Sequence, residues 1–186
     1  LAGDAATVSR RMAEGEEHFD VALELLSGTS DRSTTIAART QRGAARCWLG
    51  QFNEGLADLE EAAVEAARGG FRLREVQARM EQGYHLVAAG RETDGLSLLR
   101  PAFLQAEELG DLRRPTDMHE RLSALYEARG DYQRALSHHK RFVEVKTRLD
   151  GKLSTQRARL HEARAELVKL RTQTAALHAR AQDLEK

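Results

Sequence analysis

The chain has 186 residues, of which 41% are hydrophobic, 31% charged and 5% aromatic, with two prolines. That length suits one compact domain with an extension, and an Ala-, Leu-, Arg- and Glu-rich mix suits helices with charged outer faces. The single cysteine, Cys47, excludes an intrachain disulfide and fits a reducing compartment, so a cytoplasmic location is expected. No apolar run approaches the roughly 18 residues of a membrane span and no secretory signal is present, so no membrane partner is expected. The net charge is zero but unevenly placed: residues 151–186 hold eight Lys/Arg against four acids, +4 there and −4 on the rest. A first residue other than Met, and an end at Lys186 inside a heptad pattern, predict a piece of a longer protein.

In chain order, residues 5–27 come first, with Phe19, Ala22, Leu23 and Leu26 at helical spacing. They predict either the second helix of an incomplete repeat, with Gly15 one period before Gly55, or a capping helix, which repeat arrays need in any case. A repeat follows. Gly50, Gly90 and Gly130 are each 40 residues apart, as are Gly43, Gly83 and Ser123, and Gly55, Gly95 and Ala135. Leu56, Leu96 and Leu136 keep the same register, and Gly70 and Gly110 continue to Asp150 beside Gly151. Such periodicity is the mark of a stacked-repeat architecture.

Each copy reads as two helices. In the first copy they are predicted at about Ile36–Leu49 and Asn53–Arg68, broken by Gly50 and by Gly69–Gly70, where glycine permits the left-handed turn that ends a helix. Pro115 marks the start of a first helix in the third copy. Pro101 falls inside a second helix, where it removes a hydrogen bond and predicts a kink near Ser97–Pro101. Gly43, Gly55, Gly83 and Gly95 lie mid-helix, each costing roughly 0.5–1 kcal/mol relative to Ala. Contact between the helices of a pair at these points accounts for them: Gly43 faces Gly55, Gly83 faces Gly95, and Ser123 faces Ala135.

The stretch Leu122–Phe142, LSALYEARGDYQRALSHHKRF, resembles a tetratricopeptide (TPR) repeat. Leu122, Ser123, Tyr126, Gly130, Asp131, Tyr132 and Ala135 fill that pattern's places; the first copy keeps Gly43, Gly50 and Phe52, and the second Gly83, Gly90 and Leu96. The resemblance covers residues 36–150, and the 40-residue period exceeds the family's usual length of about 34. It is similar to the long-helix variety of bacterial sensor and regulator proteins. It implies an all-α, right-handed superhelical solenoid of helical hairpins, with a capping helix or partial repeat at 1–35, three helix pairs at 36–150 and a coiled-coil signalling helix at 151–186. It also implies a protein–protein interaction module of a bacterial signalling protein, working on an output domain such as a diguanylate cyclase or histidine kinase beyond residue 186. A purely structural scaffold is the alternative. Arg46 departs from the pattern, standing where the third copy has Tyr126, and either points outward or pairs with an acid.

Carried over by position, the resemblance implies a concave groove on the first helices. It would present Thr40, Ala44, Cys47 and Trp48, then Gln77, Met80, Tyr84 and Val87, then Asp117, Glu120 and Glu127, grading from apolar to acidic. That implies a protein or peptide partner with apolar anchors and a basic end. Trp48 and Tyr84 serve equally well as packing between repeats.

From Phe142 onward a heptad holds. One seam position runs Leu153, Leu160, Leu167, Thr174, Ala181; the other runs Phe142, Leu149, Gln156, Ala163, Leu170, Leu177, Leu184. The pattern predicts a coiled coil and a homodimer, parallel or antiparallel, with a lone helix folded back on its repeats as the alternative. The register passes through Gly151, predicting either one rod or a break there. Basic residues interleaved around a heptad without aromatics read as a solvated face, so nucleic acid is not an expected partner.

No site chemistry stands out. His138 and His139 are adjacent on a helix and point about 100° apart. His119-Glu120 and His161-Glu162 lack the second histidine of HExxH, and no phosphate-binding glycine loop or nucleophile–base motif occurs. No enzyme activity, metal or cofactor is expected.

Overall fold

A computed structural model describes the backbone of residues 2–184 and the side chains of 10–174, residues 11 and 173 excepted. It contains seven helices among the described residues: α1 (Ala2–Leu26), α2 (Arg32–Trp48), α3 (Phe52–Gly69), α4 (Arg72–Ala88), α5 (Glu92–Glu108), α6 (Arg113–Ala128) and α7 (Tyr132–Leu184). Helices α2 and α3, α4 and α5, and α6 and α7 pack as hairpins; α1 lies on α2, and the first helices α2, α4 and α6 stack in sequence. This is a TPR-like helical-hairpin repeat.

Helices α2 to α6 each end in one repeated turn. Gly50, with φ 85°, takes a left-handed conformation that would strain other residues. Its N–H donates to the Cys47 carbonyl at 3.2 Å and the Gln51 N–H to the Arg46 carbonyl at 2.9 Å, so two orphan carbonyls of α2 are satisfied. The same pair of bonds recurs at Gly70, Gly90, Gly110 and Gly130. α2 begins four residues before the predicted Ile36 because the Asp31 carboxylate caps it, accepting from the Thr34 N–H at 3.1 Å. α5 runs unbroken through Pro101, which lies exposed near exposed Ser97. The Ser97 carbonyl, which has no N–H donor at Pro101, can therefore turn to water.

The small-residue pairs meet as expected. A Cβ added to Gly43 would lie 2.8 Å from the Gly55 carbonyl oxygen, and one on Gly55 would lie 2.5 Å from Cys47 Sγ and 2.6 Å from the Gly43 oxygen. Gly83 and Gly95 repeat this, with a Cβ on Gly95 at 2.5 Å from the Gly83 oxygen. In the third hairpin Ser123 Oγ donates to the Ala135 carbonyl at 3.0 Å, so a hydroxyl fills the same crossing. Around these crossings lies the main core of Val76, Met80, Tyr84, Leu99, Met118, Leu122 and Tyr126. A smaller, alanine-rich core is built from Ile36, Ala62, Ala63, Ala66 and Ala78.

Ties between hairpins follow the repeat. Arg121 bonds Glu81, 40 residues earlier, at 2.7 and 3.0 Å. Arg129 donates to the Val87 and Ala88 carbonyls, Arg148 to Glu107, and Lys152 to the Gly110 carbonyl at 2.9 Å. Arg46 pairs with acids: Glu16 of α1 at 2.8 Å and Asp58 at 2.9 Å. Asp58 also takes two bonds from Arg42, which reaches Asp20, so α1 is fastened to the first hairpin by charge.

α7 spans 53 residues without a break at Gly151, roughly 80 Å at 1.5 Å per residue. Every described side chain after Asp150 is exposed, so α7 leaves the hairpins rather than folding back on them.

Two glycine variants separate close approach from helix propensity. Gly55→Ala is expected to lower the unfolding free energy by about 1–3 kcal/mol through overpacking. Gly151→Ala, with nothing within 4 Å of its Cβ, is expected to raise it by about 0.5–1 kcal/mol. Urea unfolding of both measures this, and stabilisation by Gly55→Ala would remove the packing explanation.

Candidate functional site

The stacked first helices leave a cavity of about 320 Å³ lined by Gln41 of α2, Gln77, Met80 and Glu81 of α4, and Arg114, Asp117, Met118 and Arg121 of α6. Methionines form its apolar floor and two acids and two arginines its rim. Arg121 is held on both sides, by its two bonds to Glu81 and by the Tyr84 ring, whose centroid lies 4.0 Å from its guanidinium carbon. Arg114 is paired with Asp111. Burial pushes the Asp117 carboxyl up from its ordinary value, with Arg113 opposing.

An aromatic step flanks the cavity. Trp48, 50% exposed, sits at the end of α2 with its ring 6.0 Å from Tyr84 and edge-on to His85 at 5.7 Å. His85 is fully buried, and its Nε2 has no hydrogen-bond partner. Burial drives its pKa down to about 4, Arg121 adding to the effect and Glu81, whose carboxylate lies 3.8 Å away, opposing it. Burial likewise pushes the Cys47 thiol up to about 12, so it stays protonated and unreactive at neutral pH.

The groove residues named from the sequence divide into three groups. Gln77, Met80 and Asp117 come together in the cavity, and Trp48 and Tyr84 form the step beside it. Glu120 and Glu127 stand exposed on α6. Thr40, Ala44 and Val87 are buried and line no part of the cavity, and the Thr40 hydroxyl donates back to the Ile36 carbonyl at 2.8 Å; Met80 and Tyr84 are buried as deeply, Met80 at the cavity floor. Buried Cys47 is likewise withdrawn. The acidic end also carries Arg114 and Arg121, each already paired with an acid, Asp111 and Glu81 respectively. Gln41, Glu81, Arg114, Met118 and Arg121 were not anticipated, yet Gln41, Glu81 and Arg121 occupy one position in successive repeats.

On α7, Leu153, Leu160, Ala163, Leu167 and Leu170 are all exposed, an apolar stripe that nothing in the chain covers among the described residues. Leu177 and Leu184 lie outside the described side chains. Histidines far apart in sequence also meet: His119 of α6 and His138 of α7 place their Nδ1 atoms 3.0 Å apart. Among the described residues no three His, Cys, Asp or Glu are grouped to hold a metal, and no helix is long and apolar enough to cross a membrane.

No family model matches the chain. It is similar to tetratricopeptide repeat protein 29 of Trypanosoma brucei brucei (strain 927/4 GUTat10.1), 28% identical over 155 residues. The match covers 78% of this chain and 31% of that protein, so the chain spans less than a third of its relative's length.

The buried histidines give a pH signature. His85 and His119 have folded pKa values near 4, below the ordinary 6.5 of the unfolded chain. Between these values the unfolded state binds more protons. Stability is therefore full above pH 6.5 and falls as the pH drops toward 4, by up to about 1.4 kcal/mol per pH unit for each group. Urea midpoints across this range are expected to show a shallower slope for His85→Gln, and equal slopes would refute the burial account.

Proposed function

We propose that the chain is a protein–protein interaction module of a bacterial signalling protein, which takes a partner segment on its first-helix face and pairs with a second copy through α7. The observation that carries this reading is that α7 is one helix with two surroundings. Its first turns are the second half of the third hairpin, and its later turns carry an uncovered heptad stripe. A partner that altered hairpin packing would therefore act on the helix that dimerises and leads to an output domain beyond residue 186. The similarity to a protein named for tetratricopeptide repeats supports the interaction role.

The partner face has a definite chemistry. Trp48 offers half of a large ring for an apolar anchor, since aromatic rings supply area at little entropic cost. Gln77, above the buried Met80 of the floor, continues the surface into the cavity, where Asp117 and, beyond it, exposed Glu120 offer acids to a basic residue. An extended or helical peptide with an apolar anchor and a basic end fits. One observation favours a scaffold role instead: Glu81 and Arg121 already satisfy one another, which ties α4 to α6.

Trp48→Ala is expected to weaken capture of a cognate peptide about tenfold or more, as loss of a central aromatic anchor does, with the thermal midpoint little changed. If binding persists unaltered, the face serves packing and the scaffold reading gains. Light scattering is expected to give a dimer for the chain and a monomer for the double variant Leu160→Glu, Leu167→Glu, because two like charges would enter the seam. A monomer for both ends the pairing proposal.

A further inference from the structure

Equivalent positions of the repeat differ at one junction, where acids of the first hairpin give way to arginines and a histidine. Between α3 and α4, Glu60 accepts from Arg79 at 2.7 Å and from Gln82 at 2.7 Å. The residues 40 positions on, between α5 and α6, are Arg100, His119 and Leu122. The acceptor has become a cation, and Arg100 forms no ion pair among the described residues. The second helix changes in the same sense: Glu54, Asp58 and Glu61 of α3 correspond, two repeats on, to Arg134, His138 and Arg141 of α7.

These substitutions converge on one cleft. The backbones of α5 and α7 do not approach closely, the two helices meet through the Glu92–Arg134 and Glu107–Arg148 ion pairs, and the gap between them is floored by His119 of the intervening α6. Two adjoining cavities of about 310 and 360 Å³ share Arg100, Phe103, His119 and Arg141 in their walls, and the first adds Arg134, Ser137 and His138. The two imidazoles are held in place. His119 stacks on Phe103 at 4.2 Å, His138 lies parallel to Tyr126 at 5.5 Å, and the Nδ1 atoms of the two histidines lie 3.0 Å apart, within hydrogen-bond distance. One ring must donate to the other, so both rings are neutral or one is charged.

The charged surroundings decide what the cleft accepts. From α5 come Arg100, Glu92, which pairs with Arg134 and accepts from the Tyr126 hydroxyl, and Glu107, which pairs with Arg148. From α6 come His119 and Tyr126, and from α7 Arg134, His138 and Arg141, with Asp131 on Arg134 and Glu144 on Arg141. The carboxylates are engaged by these arginines, and what remains directed at the cleft is the free Arg100, the outer faces of two guanidiniums and the histidine pair. A metal cation would meet repulsion and only two nitrogen ligands. An anion would meet several charge-assisted donors, more than a single carboxylate can use and well suited to the three oxygens of a phosphate.

We propose that the cleft between α5 and α7 binds a small phosphate-bearing molecule, with Arg100, Arg141 and the His119–His138 pair as its ligands, the anion supplying the charge that Glu60 supplies one repeat earlier. Binding would couple to protonation. Burial, followed by His138 and Arg141, drives the His119 pKa down to about 4, and burial also lowers that of His138. A bound anion favours the charged form and moves the pair's titration upward.

The test uses the full chain and inorganic phosphate, added against chloride at constant ionic strength. Ring signals of His119 and His138, assigned with His138→Gln, are expected to shift saturably while those of exposed His18 and His161 do not. Their titration midpoint is expected to rise by about one unit. Arg100→Glu rebuilds the acid of the earlier junction on an exposed position. It is expected to abolish the saturable shift and any phosphate-induced rise in thermal midpoint beyond the general effect of an excluded salt. No saturable shift, equal shifts at all histidines, unchanged binding in Arg100→Glu, or acetate binding as well as phosphate would each overturn the proposal. None of these outcomes depends on a peptide partner or on dimerisation.

Discussion

The structure depends on a backbone contact. At the crossing of α2 and α3, and again of α4 and α5, two glycines bring main chains so close that a Cβ on either would strike the other's carbonyl oxygen. This approach sets the separation of the two helices, and with it the depth to which Leu59 and Leu99 reach into the opposing helix beside Gly43 and Gly83. The third hairpin replaces both glycines, by Ser123 and Ala135, and a hydroxyl–carbonyl bond takes over from bare contact. Glycine costs helix stability wherever it sits mid-helix. Its recurrence at one register means that hairpin geometry outweighs local propensity at that point.

From that spacing the rest of the array follows. Hairpins of equal geometry stack with equivalent positions about one repeat apart, so arginines reach the preceding unit at separations of 40 to 42 residues. Repetition fixes the places, while the residues filling them differ. The position of Arg46 is filled by Tyr126 in the third unit: in one case charges join α1 to α2 and α3, in the other an aromatic core is capped by a phenol bonded to Glu92. The amino-terminal end of the array is thus polar and alanine-rich, and the carboxyl-terminal end aromatic and histidine-rich.

The hairpin pattern was legible because glycine has no substitute at a left-handed turn or a backbone crossing, so its spacing is a direct record of geometry. The continuity of α7 was legible as a heptad crossing Gly151, though not decided, since one glycine costs too little to break a helix of this length. The groove was read less well. A first helix is packed by its partner and by both neighbours, leaving only a narrow exposed strip. Thr40 and Ala44 are small enough to suit either side, and Val87 turned out to touch the Gly95 crossing. The His119–His138 meeting had no signal in spacing, because it joins separate helices 19 residues apart and depends on the crossing angle.

Among the described residues, the last tie between α7 and the hairpins is the Lys152 bond to the Gly110 carbonyl. From there to Leu184 the helix extends about 48 Å at 1.5 Å per residue without another support among the described residues. A rigid arm of that length converts angle into distance. A tilt of about 5° at its root moves its far end by about 4 Å, roughly three-quarters of the rise of one helical turn. The hairpin array would then not need to change shape visibly to change what its outer end presents; a small rotation of α6 against α7 would be amplified by leverage alone.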